Sequence, residues 1–335
     1  MQSISFQSLV VHEDESRAYR RSIELRETED LPAGDVLVRV QFSSLNYKDA
    51  LSATGNRGVT KRYPHTPGID AAGVVAWSSD EAFAPGDEVL VSGYDLGMNT
   101  PGGFGQYIRV PSLWVLAKPD SIPLIRSMQI GTAGFTAAQC VSALLDQGVL
   151  KTDGPILVTG ATGGVGSVAV SLLSSLGFAV TAVTGKEQEH KFLSTLGAKK
   201  ILSREQATVG TERLLLRERW AGVIDTVGGE ILATAIKSTR YEGTVTCCGN
   251  ASSGELPINV YPFILRGVKL IGIDSAQCPL GKRKKIWKKL AGEWQIPYLE
   301  EMSRTIKLNE LSASIDQMLK GGVKGRVVVD LREDV

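Results

Sequence analysis

The sequence predicts an α/β protein in two parts: a compact barrel-like β domain, then a doubly wound parallel sheet. Three observations carry this expectation. From about Phe6 to Trp114 the chain runs in short β-branched stretches punctuated by Gly/Pro turns. After Pro123, strand-like and helix-like stretches alternate, the pattern of a parallel sheet covered on both faces. A glycine-rich turn at Thr159–Gly166 joins a buried-type strand to an apolar helix.

In the first part, Val36–Val40, Glu88–Val91 and Tyr107–Val110 alternate as strands. Turn signals separate them at Pro32–Asp35, Ala84–Asp87 and Thr100–Gly103. Apolar residues at helical spacing then predict a helix over Ile125–Leu145. Strands follow at Ile156–Thr159, Phe178–Val183, Lys200–Leu202, Gly222–Val227, Gly243–Cys248 and Val268–Ile273, with helices at Val168–Leu176 and Lys191–Leu196. The tail Lys324–Asp330 returns to strand character and is expected to rejoin the first part. The expected domains are residues 1–122 rejoined by 298–335, and 123–297. A length of 335 residues suits two such domains.

Composition narrows the function classes. The 37 basic and 36 acidic residues leave a net charge of +1, which argues against nucleic-acid binding through bulk positive charge. A hydrophobic fraction of 43% with 22% charged residues is that of a folded globular chain. No apolar run is long enough for a membrane span, and Met1–Phe6 has neither the basic start nor the apolar core of a signal peptide, so a cytoplasmic protein is expected. Cys140, Cys247, Cys248 and Cys278 contain no C-x-x-C pair and do not form a disulfide framework. His12, His65 and His190 are the only histidines, and none has a partner histidine at ligand spacing.

The turn Thr159-Gly160-Ala161-Thr162-Gly163-Gly164-Val165-Gly166 has the strand-then-helix context of a dinucleotide site, although its spacing is G-x-x-G-x-x-G rather than G-x-G-x-x-G. Backbone N–H groups there can approach a pyrophosphate at the positive end of the helix. An NAD site commonly has an acid about 20 residues further on. Here Lys186 stands in Thr184-Gly185-Lys186, with Arg204 after the next short strand. Cations and a hydroxyl suit a 2′-phosphate, which points to NADPH.

Seven blocks together carry a wider resemblance: Ser44–Leu51, Pro67–Gly73, Ile130–Ala137, Val158–Gly166, Tyr261–Arg266, Gly272–Ser275 and Gly325–Val328. They run from about residue 44 to 328, and with them the chain resembles the zinc-independent branch of the medium-chain dehydrogenase/reductase superfamily. Within that branch it is similar to the acrylyl-CoA reductase family, often labelled quinone oxidoreductases. The resemblance implies a GroES-like β-barrel catalytic domain, a Rossmann domain, NADPH and reduction of an activated C=C bond in a small-molecule substrate. It also implies a homodimer, for which the hydrophobic strand Val268–Ile273 could pair across the axis. Where the zinc branch has a Cys and a His, this chain has Asn46 and Ile69. The third ligand segment, Ile130–Ala133, has no Cys, and no cysteine precedes Cys140 to build a structural zinc lobe, so no metal is expected.

Without zinc, the substrate must be activated by hydrogen bonds. The resemblance puts Tyr47 on the nicotinamide side, where a neutral phenol can donate to a thioester oxygen or supply the α-proton. Packing on the cofactor is its alternative role. Asn46 could orient a carbonyl, while Asp49 and Asp70 are expected to hold the loop–strand junction. For cofactor contacts, the expected set is Tyr47 and Thr136, then Thr162, Gly163, Gly164 and Val165 at the turn. Thr184, Gly185, Lys186 and Arg204 follow at the 2′-phosphate, with Gly249, Ser275 and Arg326 from the later blocks. The run Lys282–Lys285 with Lys288 and Lys289 reads as a helix face, solvated or facing the phosphates of a CoA ester. Three functions stay open: enoyl-CoA reductase, NADPH:quinone oxidoreductase, and a nucleotide-binding redox sensor or structural protein.

Overall fold

The structure, a computed structural model, describes residues 3–332, so residues 1–2 and 333–335 of the expected first domain lie outside the described residues. The chain divides into two compact units. The first comprises residues 1–132, 276–291 and 300–335. The second comprises 133–275 and 292–299. Residues 123–132 and 276–291, which the sequence placed with the second domain, group with the first unit, and residues 298–299 group with the second.

In the first unit, strands β1 (Ser5–Glu13) and β2 (Tyr19–Glu27) form an antiparallel pair. Next come β3 (Val36–Leu45), α1 (Tyr47–Ser52), β4 (Asp70–Ser78), β5 (Glu88–Ser92), β6 (Tyr107–Val110) and β7 (Val115–Ala117). Helix α2 (Leu124–Asp146) covers the expected 125–145 span but kinks at Gly131, whose φ of 50° and ψ of −162° are not helical. No periodicity in the sequence announces this break.

The second unit holds β8 (Ile156–Val158), α3 (Gly164–Ser175), β9 (Val180–Val183), α4 (His190–Thr195), β10 (Ala198–Leu202) and α5 (Arg204–Thr208). It continues with β11 (Trp220–Asp225), α6 (Gly229–Lys237), β12 (Thr239–Cys247), α7 (Tyr261–Arg266) and β13 (Lys269–Gly272). The six strands pair in parallel in the order β10-β9-β8-β11-β12-β13. The order reverses between β8 and β11, which places a ligand crevice at the carboxyl ends of those two strands.

The chain then adds α8 (Leu280–Ala291), β14 (Ser303–Lys307), α9 (Leu311–Leu319) and β15 (Arg326–Asp330) to the first unit. Strand β15 pairs antiparallel with β3, Val327 opposite Leu45, so the tail does rejoin the first part. The seven-stranded sheet runs β14-β15-β3-β4-β5-β7, with β6 also on β3. Its core packs Leu9, Val38, Leu45, Val91, Phe104 and Ile108. Among the described residues, no helix is long and apolar enough to cross a membrane.

Candidate active site

Helix α1 starts where β3 ends, and its first residue is Tyr47. The Asp49 carboxylate fixes this corner: Oδ2 accepts from the Asn46 N–H at 2.8 Å and Oδ1 from the Ile69 N–H at 2.8 Å. Asp49 is fully buried, and loss of hydration, with Asp70 adding to it, pushes its pKa up to about 7 against the backbone hydrogen bonds from Asn46 and Ile69. Tyr47 itself is 47% exposed, and its phenol makes no hydrogen bond among the described residues.

Under α1 lies a buried charge network. Asp70 accepts from Ser44 Oγ at 2.6 Å, Asn46 Nδ2 at 2.8 Å, the Thr132 N–H at 2.9 Å and Thr132 Oγ1 at 2.7 Å. Arg326, 2% exposed, donates to the Gln129 carbonyl at 3.0 Å, to Asn46 Oδ1 at 3.3 Å and to Ser44 Oγ at 2.9 Å. Burial lowers the Arg326 pKa while Asp70 and Asp49 oppose that shift. Gly131 closes the network: a Cβ there would stand 2.6 Å from both Arg326 Nη2 and Ser44 Oγ. Asn46, expected to orient a carbonyl, has its amide group engaged here. Arg326, expected at the cofactor, has its guanidinium in the same network.

In the second unit, Gly160, Gly163 and Gly166 of the turn differ in what they do. Gly160 has φ +57°, and a Cβ would meet Thr226 Oγ1 at 2.2 Å. At Gly166 a Cβ would meet the Gly160 carbonyl oxygen at 2.3 Å, so hydrogen alone lets α3 approach β8. Gly163 is looser, with its nearest neighbour at 3.3 Å; it occupies the N-cap of α3 and supplies no side-chain cap. The N–H groups of Gly164 and Val165 at the start of this 12-residue helix therefore suit an anion.

The Thr184-Gly185-Lys186 loop follows β9, and Arg204 opens α5. A Cβ on Gly185 would lie 2.7 Å from Arg204 Nε and 3.0 Å from Cζ, so the guanidinium rests on the glycine. Thr184 Oγ1 accepts from the Lys186 N–H at 3.0 Å, which shapes the loop. Arg204 thus lies beside the loop that carries the Thr184 hydroxyl and Lys186. Arg204 also borders a cleft of about 400 Å³ lined by Thr208, Gly229, Ile231, Ser252 and Pro257. These are residues that could hold the adenosine phosphate end of a nicotinamide dinucleotide.

Gly249 follows β12, where a Cβ would meet the Thr226 carbonyl oxygen at 2.4 Å; Thr136 is buried in α2, and Ser275 is half-buried at the end of the second unit. One pair escaped the sequence reading. Thr159 Oγ1 donates to Asp225 Oδ1 at 2.7 Å, and Asp225 Oδ2 accepts from the Gly228 N–H at 2.8 Å. It ties the ends of β8 and β11 at the crevice, and burial raises the Asp225 pKa. An acid closing the strand Val223-Ile224-Asp225 was the available signal. Among the described residues, no group of three or more His, Cys, Asp or Glu side chains is arranged to hold a metal.

Comparison with known proteins agrees with this layout. Residues 32–120 match the alcohol dehydrogenase GroES-like domain, and residues 164–291 the family described as zinc-binding dehydrogenase. The chain is 42% identical to acrylyl-CoA reductase AcuI of Ruegeria pomeroyi, over 97% of this chain and 99% of that one. It is also 42% identical to the putative quinone oxidoreductase YhfP of Bacillus subtilis, over 91% and 92% of the two chains. The solved yhdH oxidoreductase of Salmonella enterica, in complex with NADP, superposes with a TM-score of 0.94 at 42% identity, over 97% of this chain and all of that one. A structure of the Bacillus protein with NAD bound gives 0.95 at 40% identity, over 98% of this chain and all of the other.

Proposed function

This chain belongs to the acrylyl-CoA reductase and quinone oxidoreductase family of medium-chain dehydrogenases/reductases, and on that footing we propose that it is an NADPH-dependent, zinc-independent reductase of the activated C=C bond of a short enoyl-CoA such as acrylyl-CoA. The observation that carries the reading is the end-to-end likeness to an acrylyl-CoA reductase. A half-exposed, uncommitted phenol at Tyr47 supports it.

When bound, NADPH supplies a hydride to the β-carbon of the thioester. The N–H groups of Gly164 and Val165 would hold its pyrophosphate, and Lys186 and Arg204 would pair with its 2′-phosphate. Tyr47 Oη donates to the thioester oxygen as negative charge develops there, or gives its proton to the α-carbon. Asn46, Asp49, Asp70 and Arg326 are positioning residues: they hold the first turn of α1 and so aim the phenol. The positions where related enzymes carry zinc ligands hold Asn46 and Ile69, whose side chains do not suit that ion.

A second reading, NADPH:quinone oxidoreductase, is favoured by the equal identity to YhfP. Steady-state rates with acrylyl-CoA, crotonyl-CoA and a benzoquinone, each with NADPH and NADH, decide between the two. Acrylyl-CoA with NADPH should give the highest kcat/KM; a benzoquinone far ahead of both thioesters would establish the second reading. The four cysteines are free thiols, in keeping with a reducing cytoplasm. We further propose a homodimer through β13, an outer strand of the six-stranded sheet, with Ile264 and Leu265 of the preceding helix α7 exposed; sedimentation tests it.

A further inference from the structure

Helix α8 carries a cationic face that the proposed chemistry has not used. Its buried side is Arg283, Ile286, Trp287 and Leu290. At about 3.6 residues per turn, Lys282, Lys285 and Lys289 form one stripe on the opposite side, with Lys284 and Lys288 beside it. Lys282, Lys284, Lys285 and Lys288 are exposed and make no ion pair among the described residues. No acidic residue occurs from Ser275 to Gly292, although the whole chain is balanced in charge. Solvated helix faces usually mix both signs, because like charges three and four residues apart repel. This face keeps four exposed lysines, Lys282, Lys284, Lys285 and Lys288, together against that repulsion.

The helix is tied to the corner that bears Tyr47. Arg283, 2% exposed, donates to Ser92 Oγ at 2.9 Å and to the Ala276 carbonyl at 3.3 Å, and its guanidinium lies 4.9 Å from the Tyr94 ring centroid. The adjoining Gly93 N–H donates to the Ile69 carbonyl at 2.9 Å, and the Ile69 N–H donates to Asp49. A run of direct contacts within the first unit therefore joins the lysine helix to the N-terminal turn of α1.

We infer that the α8 lysine face binds the pyrophosphate and 3′-phosphate of the CoA moiety. This rests on the enoyl-CoA reading above and names the part of that substrate which α8 recognises. The charge complement is direct: the nucleotide end of CoA is a compact polyanion, and lysine ammonium groups meet phosphates as mobile point charges. Arg283 is the positioning residue, locking the helix by its buried guanidinium while the lysines stay in solvent.

The test is calorimetric titration of CoA into the full chain saturated with NADPH, so that the 2′-phosphate site is already filled. Wild type is compared with Lys282→Gln/Lys285→Gln/Lys288→Gln, whose changes are all at exposed positions. The variant should bind CoA about tenfold or more weakly, and added salt should weaken wild type much more than the variant. The KM for acrylyl-CoA should rise in parallel, while that for acrylyl-pantetheine, which lacks the nucleotide, stays unchanged. Equal CoA affinity in both proteins overturns the inference, as does a wild type that binds no CoA. Tighter binding of a short oligonucleotide than of CoA also overturns it, giving the face to nucleic acid instead. A wild type that binds CoA through these lysines but reduces only quinones keeps the site and removes the enoyl-CoA reading.

Discussion

Arg204 rests on Gly185: a Cβ at Gly185 would stand 2.7 Å from its Nε, so the absence of a side chain is what lets the guanidinium lie beside the Thr184–Lys186 loop. A cation held there is preorganised for a phosphate monoester. Lys186→Glu should weaken NADPH by about 2 kcal/mol or more, because a charge-assisted bond is replaced by repulsion, and NADH should hardly change. Fluorescence titration with both cofactors checks this. Equal wild-type affinity for NADH and NADPH would sink the assignment.

Gly131 adopts a backbone conformation open essentially to glycine alone, and a side chain there would drive into Arg326, Ser44 and Asp70. Gly131→Ala is therefore expected to cost about 3 kcal/mol or more, read as a fall in the thermal midpoint. An unchanged midpoint would show that the network tolerates the methyl group.

Asp49 gives stability a definite slope with pH. Its pKa is raised in the folded state, from 3.8 to about 7, so the folded protein binds the proton more tightly than the unfolded chain does. The contribution, on the order of 4 kcal/mol, is complete below pH about 4 and is lost as pH rises to about 7. Denaturant unfolding from pH 4 to 8 should show this slope reduced in Asp49→Asn. Parallel curves for the two proteins would contradict it.

On the proposed zinc-independent reading, activity should survive exhaustive treatment with EDTA or phenanthroline, since among the described residues no group of three or more His, Cys, Asp or Glu side chains is arranged to hold a metal. Metal analysis of the purified protein is the companion measurement. One tightly bound zinc per chain would reverse this part of the account.

Local features of the site were readable in the sequence where spacing encodes geometry. Lys186 and Arg204 follow the glycine turn at the intervals a doubly wound sheet imposes, and Arg204 lies against Gly185, the residue before Lys186. Long-range features were not. Arg326 reaches Asn46 across 280 positions, and no local pattern reports such a partner. The Gly131 break hides inside a helical periodicity that continues on both sides of it. In the run 282–289, charge alone could not separate Arg283, which stacks over Tyr94 and is buried, from the exposed lysines around it.

The most direct test of the account is kcat for Tyr47→Phe with acrylyl-CoA and deuterated NADPH. Phenylalanine keeps the ring and removes only the hydroxyl, which has no other partner among the described residues. A roughly 10²-fold loss of kcat is predicted, with NADPH binding little changed, the scale for removing one acid/base or oxyanion group. If the variant instead keeps more than about half of the wild-type kcat while an isotope effect shows hydride transfer to be rate-limiting, Tyr47 has no part in the chemistry.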